Sequence, residues 1–372
     1  MFIPSAKSKF SLISLLIISL MLFAWSNNSR VKQKQKYYKE KLAAAVLMEK
    51  AEKILKDYRI EQGIFIDEVN DPNKTGLIGE KYTQITTEEG KLESKLTSLN
   101  PNFAAVIVEF FKKTGLQQGD AVAVSYTGSF PALNIAVLSA AKILELDLVI
   151  ISSPGASMFG ATDPQFTWLD MENLLYREGI FPYRSVASSI GGGEDNGRGL
   201  SKQGRELLEN SIHRNNIPLI KEDSLMASVE KKMEFFNTEK TKKIKLYVNV
   251  GGGLSSLGSS LNGELIETGY HKNIPVKNYH AKGTMILFAQ KGIPIIHLEN
   301  IAILAKENEL LVAPVPLPKP GVGNVFIEDR YNITVAAISL MIMFILILTV
   351  ILFDHKRQKF SEKDIIKTEE NL

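Results

Sequence analysis

Four stretches of the chain concentrate glycine with hydroxyl side chains: residues 125–129 (SYTGS), 152–160 (SSPGASMFG), 188–199 (SSIGGGEDNGRG) and 251–260 (GGGLSSLGSS). Turns of this composition expose backbone N–H groups. Where such a turn opens a helix, those groups attract a carboxylate or a phosphate. The hydroxyls of Ser125, Thr127, Ser129, Ser153 and Ser255 add donors, and Gly128, Gly155, Gly192 and Gly252 let a ligand approach the main chain. The chemistry expected is anion binding. The plainer reading is that Gly and Ser only shape tight strand-to-helix turns, which a single such turn would favour. Four of them set a shared crevice beside that reading as its equal.

Acidic groups are fewer. Asp195, set among glycines with Glu194, is the expected functional carboxylate, because backbone and ligand can both come close there. Asp170 and Glu172 are two residues apart on an expected helix, so they do not share a face and read as solvated or capping groups. If the protein is an enzyme, Asp195 or Asp170 would act as general base and a turn's N–H groups as oxyanion donors, in an amide hydrolase or transferase. His213, His271, His280 and His297 lack metal-ligand spacing, and cysteine is absent, which removes disulfides, thiol nucleophiles and thiolate metal sites. No G-x-G-x-x-G, G-x-x-x-x-G-K-[ST] or G-x-S-x-G pattern occurs, so neither a cofactor nor a metal is expected. A net charge of +3 gives no case for nucleic acid.

The elements that must position these groups follow a repeated plan. Short apolar runs at residues 121–125, 146–152, 185–190, 245–250 and 293–298 each read as a strand. Helices are expected at 102–114, 131–146, 167–177, 201–214 and 283–290, and Pro131 suits a first helical turn. Apolar strands alternating with helices predict an α/β fold: a mostly parallel sheet covered by helices on both faces. In such sheets the ligand crevice lies beyond the C-terminal strand ends, where the four Gly/Ser turns fall.

Both ends of the chain are apolar. Residues 10–25 form a charge-free stretch that reads either as a membrane anchor or as a signal peptide cleaved near Ser26. Residues 333–353 are long enough to span a bilayer, and His355, Lys356, Arg357 and Lys359 beyond them predict a cytoplasmic C-terminus. The domain between would then be extracytoplasmic. The basic run from Arg30 to Lys41 argues the other way, but long domains cross largely regardless of such charges. The predicted layout is an anchor or signal at 1–29, a juxtamembrane helix at 30–63 and an α/β domain at 64–313, with any division into two lobes near 180–240. A linker follows at 314–332 (PVPLPKPGVG at its start), then a transmembrane helix at 333–353 and a tail at 354–372. The apolar stripe of Ala43, Ala44, Val46, Leu47, Ile54 and Leu55 reads as one side of a solvated stalk helix, or as a partner- or lipid-facing one.

The runs SYTGSFPALNIA (125–136), ISSPGASMFGATDP (151–164), FTWLDME (166–172) and YVNVGGG (247–253) together resemble the poly-gamma-glutamate system protein family. The segments GLIG (76–79), ITT (85–87) and NPNFA (100–104) extend the resemblance, which covers about residues 65–300. It implies a cell-membrane protein that accompanies poly-gamma-glutamate ligase and membrane subunits in making an anionic capsule or secreted polymer. No catalytic residues carry over with it. The polymer or free glutamate, each bearing carboxylates, suits the expected crevice. A looser resemblance of SYTGS to sugar isomerase domains leaves a sugar-phosphate or nucleotide sensor as a further alternative.

Overall fold

The computed structural model describes residues 8–237, 242–275, 279 and 281–369, with side chains as far as 356; His280 lies outside the described residues. In chain order the elements are α1 (Lys9–Asn28), β1 (Arg30–Lys34), α2 (Tyr38–Glu61), α3 (Leu92–Ser98), α4 (Phe103–Lys113), β2 (Ala121–Thr127), α5 (Pro131–Ile143), β3 (Asp147–Ser153), α6 (Trp168–Arg177), β4 (Ser185–Ser189) and α7 (Lys202–Arg214). There follow β5 (Leu219–Ile220), α8 (Leu225–Phe236), β6 (Ile244–Val250), α9 (Leu254–Leu257), α10 (Ser260–Leu265), β7 (Gly269–His271), α11 (Thr284–Gln290), β8 (Ile295–Leu298), α12 (Ile301–Glu307), β9 (Ile327–Tyr331) and α13 (Ile333–Glu369).

The chain divides into two compact units. The larger, residues 35–326, is built on a seven-stranded sheet of order β5-β4-β3-β2-β6-β8-β7. Every pairing in it is parallel except that of the edge strand β7 with β8. The strand period of two explains why both faces must be covered. Val122, Val124 and Tyr126 of β2 enter one apolar core, with α2, α4, α5 and α6, whereas Ala121 and Ala123 enter the opposite one, with α8 and α11. The α/β fold with helices on both faces is therefore present as expected. From β2 the chain moves to β3, β4 and β5 on one side, then returns to β6 and β8 on the other, so the order reverses at β2 and β6. That reversal opens a crevice at the C-terminal ends of those strands.

Expectations for the flanks need correction: the helix expected over 30–63 begins instead as the strand β1 at Arg30–Lys34, and two further readings change. The helix at Tyr38–Glu61 is not a solvated stalk: Ala44, Met48, Ala51 and Leu55 are completely buried in the first core, at spacings that lie on one helical face. Val46 of the expected stripe faces outward instead. The alanines of that face let α2 lie close against α4 and α5, which isolated periodicity could not distinguish from a free amphipathic helix. Residues 314–323 are not a free linker either. Asn102 holds them, its Nδ2 donating to the carbonyls of Lys319 and Val322 at 3.2 Å each and its Oδ1 accepting from the N–H of Gly321 at 3.2 Å. Proline removes donors but leaves carbonyls, and a buried asparagine satisfies them.

The smaller unit comprises residues 1–34 and 327–372. In it β1 and β9 pair antiparallel from Arg30↔Tyr331 to Lys34↔Ile327, so the basic run is partly matched by Glu328 and Asp329. Two helices, Lys9–Asn28 and Ile333–Lys356, are long and apolar enough to cross a membrane by length and composition.

Candidate functional site

The crevice at the strand ends is a cavity of about 290 Å³, bordered by Thr127 at the end of β2 and Ser129 beyond it, Ser153 at the end of β3 and Gly155 beyond it, Gly192 and Gly193 after β4, and Gly252 and Gly253 after β6. Thr87, Glu88, Arg198, Leu254 and Ser260 complete it. Four separate βα turns meet because parallel strands all end on the same edge of the sheet. A second cavity of about 290 Å³ shares Glu88, Ser129, Gly252, Leu254 and Ser260 with the first and extends to Lys95, Ser157, Glu264 and Glu299.

The glycines are there for space. A Cβ at Gly155 would lie 2.8 Å from the carbonyl of Ile190, and one at Gly128 would lie 2.5 Å from the carbonyl of Pro154. Neighbouring turns thus stack backbone on backbone, and no side chain fits between them. Gly192 adopts φ +71°, a left-handed conformation that favours glycine.

The remaining expected residues are drawn into internal bonding. Ser125 lies below the rim and accepts a 2.7 Å hydrogen bond from the hydroxyl of Tyr247, which Ser256 and Thr284 also contact. Asp195 is buried, with Oδ2 2.8 Å from Nζ of Lys232 and bonded to the hydroxyl of Ser228. Lys232 also donates to Ser255 Oγ at 2.5 Å, so Ser255 and Asp195 share one buried cation and border neither cavity. Asp170 closes the capping box of α6 with Thr167 and is clamped by Arg214 and Asn215, as a capping role predicts. Glu172 is the exception to a solvated reading. It is buried and accepts from the N–H and hydroxyl of Ser185 at 2.8 Å each, and desolvation pushes its carboxyl up to about 7 against the lowering effect of those bonds. His297 is also buried, its Nδ1 3.0 Å from Asn249 Nδ2 and its Nε2 3.3 Å from Glu299 Oε2. Among the described residues no cluster of three potential metal ligands occurs.

Sequence patterns passed over the segment 86–101, whose polar composition reads as loop or short helix. It supplies Thr87, Glu88 and Lys95. The N–H of Thr87 bonds to the carbonyl of Ala156 at 2.9 Å, stitching the segment to the turn after β3. Lys95 is buried on α3, donates to the carbonyl of Ser129 at 2.5 Å, and lies 2.8 Å from Ser157 Oγ. Burial lowers its ammonium to about 7, with Glu88 opposing the shift. Glu88 is itself raised, first by burial and then by Glu299. A lone lysine or glutamate in a polar stretch carries no spacing signal, so only the fold reveals this convergence.

The arrangement offers hydroxyls, crowded main chain and Arg198 on one side, and carboxylates with a low-pKa lysine on the other. Such a site accommodates a ligand carrying both a carboxylate and an ammonium. Comparison of the chain with protein-family models, with curated proteins and with solved structures finds no match.

Proposed function

We propose that this protein is a membrane-anchored accessory subunit of poly-gamma-glutamate synthesis or export, and that its crevice binds the polymer or glutamate. The observation that supports the reading is the convergence of Thr127, Ser129, Ser153, Gly155, Gly192 and Gly252, from four different turns, on one cavity with Arg198 at its border. A glutamate unit at a chain end bears a carboxylate for that side, and an amino-terminal unit also bears an ammonium for Glu88 and Glu299. The two apolar helices would hold the domain at the outer face of the membrane, beside the poly-gamma-glutamate ligase and membrane subunits.

The test is binding of poly-gamma-glutamate to the purified protein at low and high salt. Attraction of a polyanion weakens as salt screens it, so affinity falls with ionic strength. Equal binding at both salts, or none, defeats the proposal. Protease protection in intact cells examines the location separately: residues 35–326 should be cleaved by external protease.

A further inference from the structure

Among the described residues two buried lysines touch a serine, and their surroundings differ. Lys232 meets Ser255 but is paired with Asp195, whose Oδ2 lies 2.8 Å away. Lys95 meets Ser157 at 2.8 Å with no carboxylate in ion-pair contact among the described residues, and both side chains border the second cavity. Ser157 is fixed from behind, its N–H donating to Ser129 Oγ at 3.0 Å. Lys95 is fixed by the carbonyl of Ser129 and lies over the ring of Phe130, 3.7 Å from its centroid. A neutral lysine amine has two N–H donors and one lone pair. With one N–H committed to the carbonyl of Ser129, the lone pair is free to accept the hydroxyl proton of Ser157.

We propose that Ser157 and Lys95 are the nucleophile and general base of an acyl-transfer site, which cleaves a small amide or ester whose acyl group carries a free ammonium. Ser157 Oγ attacks the carbonyl carbon while its proton passes to Lys95 Nζ. The tetrahedral adduct collapses as the C–N or C–O bond breaks, and Lys95 returns the proton to the leaving amine or alcohol. Water, activated by the same amine, then releases the acid and regenerates Ser157. The ammonium formed on Lys95 is stabilised by the carbonyl of Ser129 and by Glu88. Glu88, Glu89, Glu264 and Glu299 outnumber Lys91 and Lys95 around the cavity, which sets the preference for a positively charged acyl group. Of these groups Glu88 acts on Lys95, and burial outweighs it in bringing the amine to about 7. The inference stands on the second cavity alone and does not require that the crevice bind polymer.

The full-length protein in detergent, treated with a fluorophosphonate probe and mapped by peptide mass analysis, tests it. The expected result is an adduct on Ser157 whose formation rate rises as pH increases through about 7. Ser157→Ala should abolish the adduct, and Lys95→Met should slow it at least about 100-fold, the usual contribution of a general base. Lys95→Arg keeps a cation of similar reach that cannot accept a proton, and should be equally slow, which carries the test if the methionine variant does not fold. No adduct on the wild-type protein, an adduct confined to another serine, a rate flat with pH, or wild-type labelling in the folded lysine variant would each overturn the proposal.

Discussion

Lys232 Nζ lies 2.8 Å from Asp195 Oδ2, and both side chains are almost wholly closed to solvent. The pair ties α8 to the turn after β4, and Ser255 on the same ammonium extends the tie to α9, just beyond β6. A charged pair at this depth acts chiefly through what happens when it is broken.

Removal of one partner should therefore cost more than removal of both. Asp195→Asn, which tolerates the φ of +62° at this position, and Lys232→Met should each destabilise the protein by about 3–5 kcal/mol, because each strands a buried charge. The double variant should recover part of that loss. Denaturant unfolding of all three checks it, and additive losses would show that the two groups do not interact.

Glu172 makes stability depend on pH in a definite sense. Its carboxyl is raised from 4.5 to about 7 in the folded protein, so the folded state holds a proton that the unfolded state releases. The stabilisation is complete below about 4.5 and is lost as pH rises through about 7. The loss is on the order of 3 kcal/mol, at about 1.4 kcal/mol per unit. Glu172→Gln should remove this dependence, so its stability relative to the wild type should improve between acid and mildly alkaline buffer. A constant difference across that range would contradict the assignment.

Met48 tests whether α2 belongs to the domain. Truncation of this fully buried side chain to alanine should destabilise the fold by about 2–5 kcal/mol, the range for opening a core cavity. A stalk helix would tolerate the change with no shift in the denaturation midpoint.

Asn102 tests whether residues 314–323 are docked. Asn102→Ala removes three hydrogen bonds to Lys319, Gly321 and Val322, and should cost about 1–3 kcal/mol. Amide exchange at Gly321 should accelerate, while that of the central strand β2 remains slow. Unchanged exchange at Gly321 would mean that other contacts hold the segment.

Arg198 reports on the crevice. Arg198→Ala should weaken poly-gamma-glutamate binding about tenfold, as loss of a charge-assisted contact would, and should reduce the salt dependence. Its side chain is 76% exposed and its only ion pair among the described residues is with Glu194, so stability should hardly change.

Much of this architecture was legible in the chain because it depends on local patterns. Continuous apolar runs between turns mark strands covered on both faces, so β2, β3, β4, β6 and β8 could be read, together with α5, α6, α7 and α11 between them. The Gly/Ser turns could be placed at strand ends for the same reason. The two-residue β5 and three-residue β7 are too short to show a period, and α8 follows a break that resembles loop. The tertiary structure alone decided which polar groups meet. Asp195 and Ser255 are far apart in sequence and equally plausible as ligand contacts, yet Lys232 claims both. Lys95 and Ser157 are separated by a whole βαβ passage and carry no motif, yet the folded chain leaves them 2.8 Å apart. Periodicity records which face of an element avoids water; it says nothing of which distant charge will be desolvated beside it, and that is where the site's chemistry is set.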